Sequence, residues 1–250
     1  MGLLDKLVEV PRRTMVLFFM IDTSGSMSGA KIGAVNSAIE EVLPELKDIS
    51  EGNADAQIKI AALRFSTGAD WLYDSPIEAG MFRWNYLNAG GVTDFGVACE
   101  KLNEKLSRNA FMGDATGSFA PAIFLMSDGE PTDNYQKGLN RLKMNNWFKK
   151  AIKVAVAIGN DANKRVLQEF TGNPEAVLEV HTPAALKNMI RFVSVRASEI
   201  GSKSSSVGSY ISIAGSPAAS SGQPGEIETK QADMISAIQT KAADGGWGDW

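Results

Sequence analysis

Five oxygen-bearing side chains stand where the chain can gather them around one cation. Asp22-Thr23-Ser24-Gly25-Ser26 follows directly on an apolar run, Thr14 to Ile21. Alternation puts Asp22, Ser24 and Ser26 on a common side, and Gly25 allows a tight turn between the serines. Gly90-Gly91-Val92-Thr93-Asp94 sets a hydroxyl behind two glycines and ahead of a helical pattern, and Ser127-Asp128-Gly129-Glu130 closes a second apolar run, Ala122 to Met126. The candidate metal set is therefore Asp22, Ser24, Ser26, Thr93 and Asp128, two carboxylates and three hydroxyls. Oxygen-only coordination suits a hard cation: Mg²⁺, Mn²⁺ or Ca²⁺. Hydroxyls are neutral, so the set leaves most of the ion's charge uncancelled. If Asp22 and Asp128 act partly through water, the ion stays electrophilic and keeps an open position for a carboxylate from outside. Such a design favours binding over chemistry.

The elements around these loops read as an α/β fold. Thr14 to Ile21 is a near-continuous β-branched and aromatic run, the mark of a strand covered on both faces. Ile32, Val35, Ile39, Val42, Leu43 and Leu46 form a helical stripe, with Pro44 expected to bend its end. Strand signals over Ile58 to Phe65 and Ala69 to Tyr73, joined by Ser66-Thr67-Gly68, suit an antiparallel hairpin at a sheet edge. Helices are expected over Asp94 to about Leu106, Tyr135 to Lys150 and Asn163 to Phe170, and strands over Ala122 to Met126, Lys153 to Ile158 and Ala176 to Val180. Leu186, Met189, Ile190, Val193, Ala197 and Ile200 stripe a closing helix, with Thr182 as cap and Pro183 as first residue. This alternation predicts a doubly wound, mostly parallel central sheet with one antiparallel edge strand and helices on both faces. Ligands of such sheets bind outside the carboxyl ends of the strands, where the strand order reverses. The three loops above all follow strands or begin helices.

Composition narrows the function. With 250 residues, 44% of them hydrophobic, there is room for one sizeable α/β domain, placed at residues 1–200. Residues 201–250 are rich in Gly, Ser, Ala and Pro and read as a flexible tail, with a weak helix over Glu228 to Ala242 and two tryptophans, Trp247 and Trp250, near its end. A net charge of −4 and the lack of a clustered basic patch argue against a nucleic-acid partner. Cys99 is the only cysteine and His181 the only histidine, which excludes an internal disulfide and a Cys/His zinc site and removes the commonest nucleophile and general base. Cys99 falls in an apolar helical pattern and is expected to be a buried, inert thiol. No apolar run is long enough to cross a bilayer, and residues 1–11 do not read as a signal peptide, so the expected location is the cytoplasm, without a membrane partner.

Asp22-x-Ser24-x-Ser26, then Thr93 in a Gly-rich loop, then Asp128 after a buried strand, resembles the metal-ion-dependent adhesion site of von Willebrand factor A domains, over roughly Thr14 to Ile200. The runs Asp22 to Gly29 and Ser127 to Asp133 look most like the cytoplasmic bacterial TerY-type proteins of tellurium-resistance and stress operons. The resemblance implies direct metal contacts from Ser24, Ser26 and Thr93, with Asp22 and Asp128 acting mostly through ordered water. It also implies a protein-interaction module rather than an enzyme, one that ligates an Asp or Glu of a partner. In that subfamily the partners are a phosphatase and a kinase-like protein. Asp94 is expected to cap the helix that follows it; otherwise its charge beside the metal loop would weaken an acidic partner's grip. The alternative reading is a metal-dependent hydrolase, phosphatase or nuclease, with Glu130 or Asp133 as base. Against it, none of the three loops contains a basic residue to hold a phosphate. Gly25-Ser26-Met27-Ser28-Gly29-Ala30-Lys31 also fails as a phosphate-binding loop, because three residues rather than four separate its glycines and Ala30 precedes the lysine. Trp84 and Tyr86, if exposed near the metal, would suit a partner's contact surface.

Overall fold

A computed structural model describes residues 12–208 except 116 and 181, together with positions 233, 236, 237 and 240. The expectations for residues 1–11, for His181 and for nearly all of 209–250 lie outside the described residues. Positions 233, 236, 237 and 240, within the helix expected over Glu228 to Ala242, are helical.

The central strand is β1 (Arg13–Asp22), buried from Thr14 onward. It pairs in parallel with β2 (Ala56–Ser66) on one side and β5 (Ala122–Ser127) on the other. Two short strands, β3 (Gly68–Trp71) and β4 (Ile77–Glu78), run antiparallel to β2 along the same edge. Beyond β5 come β6 (Ile152–Ile158) and β7 (Val177–Val180), both parallel to their neighbours. The order β3-β2-β1-β5-β6-β7 reverses between β1 and β5, so the carboxyl ends of those two strands flank the crevice where a doubly wound sheet binds ligands.

Successive side chains of β1 feed two separate cores, as strand pleating requires. Met15, Leu17, Phe19 and Ile21 face α1 (Ala30–Gly52) and α6 (Pro183–Gly208). Val16, Phe18 and Met20 face the other layer: α2 (Phe95–Lys105), α3 (Tyr135–Met144), α4 (Asn146–Lys150) and α5 (Lys164–Thr171). Helices thus cover both faces, and this explains why β1 is apolar continuously from Met15 to Ile21 rather than at alternate positions.

Pro44 lies inside α1, which continues to Gly52, since one proline removes a single backbone donor while the buried stripe continues through Leu46. Two elements differ from the expectation. The helix expected over Tyr135 to Lys150 is two helices broken at Asn145, whose side chain accepts from Trp147 N and Phe148 N and starts a new helix. The closing helix runs past Ile200 to Gly208. Its start is as expected: Thr182 Oγ1 accepts from Ala185 N, one residue before Pro183.

Candidate metal centre

The first strand ends at Asp22, and the chain turns through a short 3₁₀ segment, Gly25–Met27, before α1 begins. Asp22 is fully buried. Its Oδ1 accepts from Ser24 N at 2.8 Å and its Oδ2 from Ser127 Oγ at 2.6 Å. Burial holds the Asp22 carboxyl above the ordinary aspartate range, against the pull of those two hydrogen bonds. Ser24 Oγ and Ser26 Oγ lie 3.0 Å apart, so the two hydroxyls share one side as the spacing predicted. Ser24 is buried and Ser26 exposed, which opens this pair to solvent on one flank.

The three loops are tied to one another in every pairing. Gly25 N donates to Gly91 O and Gly90 N to Thr23 O, fixing the first loop to the second by main chain alone. Gly91 has φ +83, and a Cβ there would meet Thr67 Oγ1 at 2.6 Å, so only glycine serves at this crossing. Thr93 N donates to Thr132 Oγ1 while Thr132 N donates to Thr93 O, fixing the second loop to the third. The Ser127–Asp22 hydrogen bond closes the triangle. Thr93 and Asp128 are both buried, and Asp128 follows β5 directly. The structure therefore gathers the loops carrying Asp22, Ser24, Ser26, Thr93 and Asp128 into one place at the carboxyl end of the sheet.

Whether these residues fit a cation is tested by one atom. Asp128 Oδ1 is a buried side-chain oxygen with no hydrogen-bond partner among the described residues. A bare buried carboxylate oxygen is costly unless something positive or a proton donor faces it. A divalent ion or its bound water would supply that. No three His, Cys, Asp or Glu side chains of the described residues cluster as a metal site, so any ion here would depend on the hydroxyls as well as on the two carboxylates.

Sequence reasoning missed two residues. Ser127, the last residue of β5, both donates to Asp22 and accepts from Gly129 N at 2.8 Å, linking two loops through one hydroxyl. Lys31, in the first turn of α1, reaches Asp128 Oδ2 at 3.2 Å and Asp161 Oδ1 at 2.9 Å. The loops themselves hold no basic side chain, as expected, yet the fold brings one in from the adjacent helix. Burial pulls the Lys31 ammonium down, but its bonds to Asp161 and Asp128 hold it above the ordinary lysine value.

Asp94 is not a side-chain cap. Its Oδ2 accepts from Gly68 N at 2.8 Å, tying the Thr93 loop to the β2–β3 turn. The cap of α2 is Asp133, whose Oδ2 accepts from Gly96 N and Val97 N. That capping engages only one Asp133 oxygen, since Oδ1 is buried with no hydrogen-bond partner among the described residues, and Glu130 is exposed. Burial raises the Asp133 carboxyl above its usual range. Cys99 is fully buried, and burial pushes its thiol well up, as an inert thiol requires.

The aromatic segment runs alongside α1 toward the site. Asn36 and Leu87 exchange two hydrogen bonds, and Tyr86 OH donates to Glu40. Glu40 lies ten residues into α1, about 15 Å from its start at 1.5 Å per residue, so Tyr86 stands well away from the metal loops despite its exposure. Trp84 packs on the core beneath. The exposed apolar residue beside the site is Val92, next to Thr93.

No family model and no curated protein matches the sequence. Solved structures do. The chain is similar to a von Willebrand factor type A protein from Catenulispora acidiphila (18% identity, TM-score 0.54, 74% of this chain and 43% of the other). It is similar to proximal thread matrix protein 1 from the mussel byssus, described with a zinc-occupied metal-ion-dependent adhesion site (16% identity, TM-score 0.53, 74% and 48%). A third is the pilus adhesin SpaC from Lactobacillus rhamnosus GG (12% identity, TM-score 0.58, 77% and 31%). The fold is that of the von Willebrand factor A domain. The chain spans less than half the length of each of these proteins. No helix among the described residues is long and apolar enough to cross a membrane.

Proposed function

We propose that this chain is a metal-dependent protein-interaction module, not an enzyme. A divalent cation, Mg²⁺ or in its place Mn²⁺ or Ca²⁺, sits against Ser24, Ser26 and Thr93, with Asp22 and Asp128 behind it. The ion's open position takes an Asp or Glu of a partner protein. The observation that carries this reading is the buried, unpartnered Asp128 Oδ1 in a crevice built by three mutually tied loops. Neutral hydroxyls leave the ion electrophilic, which suits a carboxylate ligand. The runs Asp22 to Gly29 and Ser127 to Asp133 support a TerY-type, cytoplasmic role in a tellurium-resistance or stress system, with a phosphatase or kinase-like partner. The hydrolase reading is weaker, because Lys31 is held between two carboxylates instead of facing a phosphate and Asp133 commits one oxygen to a helix cap.

Calorimetric titration with Mg²⁺ and Mn²⁺ tests the site. One ion should bind per chain, and Asp22→Ala should abolish binding while circular dichroism stays that of the folded protein. Unchanged binding in that variant removes the site. A pull-down with and without EDTA then tests the partner, whose capture should depend on the metal.

A further inference from the structure

Lys31 is seated with unusual care for a surface-helix lysine. Its side chain is 19% exposed and bridges Asp128, 3% exposed, to Asp161 between β6 and α5. The loop after β6 makes room for it: a Cβ on Gly159 would meet Lys31 Cε at 2.5 Å. Asp128 is thereby divided, one oxygen held by the ammonium and the other buried without a partner. We propose that Lys31 is a resident cation that sets the metal affinity of this crevice, offsetting part of the Asp128 charge an incoming divalent ion would otherwise use. The inference rests on the metal-site reading above.

Two effects follow from one charge. The ammonium repels the ion and weakens its binding, by on the order of tenfold for a unit charge several ångströms away in a partly solvated crevice. It also leaves a bound ion less neutralised, and so more attractive to an outside carboxylate. In the metal-free protein it supplies the positive neighbour that buried Asp128 needs. The chain is then held together without metal, loads the ion weakly, and grips an acidic ligand more firmly once loaded.

The test is Mn²⁺ titration of the full chain beside thermal unfolding in EDTA, for the parent and for Lys31→Met, Lys31→Arg and Asp22→Ala. Lys31→Met should bind Mn²⁺ about tenfold more tightly, unfold at a lower temperature in EDTA, and gain more thermal stability from Mn²⁺ than the parent does. Lys31→Arg keeps the charge and should stay within about twofold of the parent in affinity. Equal or weaker Mn²⁺ binding by Lys31→Met, with Asp22→Ala still abolishing it, overturns the role of Lys31 and leaves the site standing. Absence of Mn²⁺ binding by the parent, or binding that survives in Asp22→Ala, overturns both.

Discussion

Replacing Ser127 with alanine should be the most damaging single-atom change near the site that touches no proposed metal contact. The hydroxyl makes two hydrogen bonds inside a buried environment, donating to Asp22 Oδ2 at 2.6 Å and accepting from Gly129 N at 2.8 Å. A buried bond to a carboxylate is worth about 1.5–3 kcal/mol and a neutral one about 1 kcal/mol, so Ser127→Ala should destabilise the metal-free protein by about 2.5–4 kcal/mol. For a domain of this size each kcal/mol lowers Tm by about 2–4 °C, which gives a drop of about 5–16 °C. Asp22 also loses one of the donors that favour its charged form, and a freed carboxylate no longer holds the first loop against the third. Metal affinity should therefore fall about 10–100-fold, the usual effect of removing a group that orients a ligand. Urea unfolding in EDTA and Mn²⁺ calorimetry measure the two effects separately. A stability loss below about 0.5 kcal/mol with metal affinity within twofold of the parent would refute this account of how the loops are held.

Three further outcomes follow from the same geometry. Burial raises the Asp22 carboxyl in the fold, so the folded state holds its proton more tightly than the unfolded chain, and stability is lost as pH rises from about 3.8 through that raised value. In EDTA, Asp22→Asn should thus gain on the parent as pH climbs through this window, and added Mn²⁺ should reverse the order; a flat difference across pH would contradict it. Asp133→Ala should cost about 1–2 kcal/mol by uncapping α2, with Asp133→Asn restoring most of it in the same urea experiment. Burial lowers the Lys153 amine to about 8, so the unfolded chain binds its proton more tightly and stability should increase as pH rises from about 8 toward 10.5; the increment should vanish in Lys153→Met when the two stability–pH curves are subtracted.

Much of this was legible because the fold writes itself in burial. β1 and β5 are covered on both faces, so they run apolar without a break from Met15 to Ile21 and from Ala122 to Met126 and stand out from their surroundings. That the loops carrying Asp22 and Asp128 follow buried strands is readable from the sequence, whereas the reversal of strand order between those strands is visible only in the sheet. What escaped the sequence depends on distances between remote residues. Lys31 meets Asp128 across 97 positions through a flexible stem, and no periodicity records where an ammonium ends up. Ser127 reads from the sequence only as the first residue of the loop after Met126, and its bond to Asp22 spans 105 positions. The cap of α2 escapes the sequence for a similar reason: Asp94 is the adjacent carboxylate, whereas the chain returns from β5 to deliver Asp133. Asn145 was the one local signal overlooked, a capping residue inside a stretch read as continuous helix.

Because the first two loops are stitched through Gly25 N–Gly91 O and Gly90 N–Thr23 O, the bonds that hold one loop to the other run between peptide groups and use no side chain at positions 24, 26 or 93. Scaffold and chemistry are thereby separable. Exchanging Ser24, Ser26 or Thr93 for another short polar residue should therefore change the side-chain donors the crevice presents without relocating the crevice.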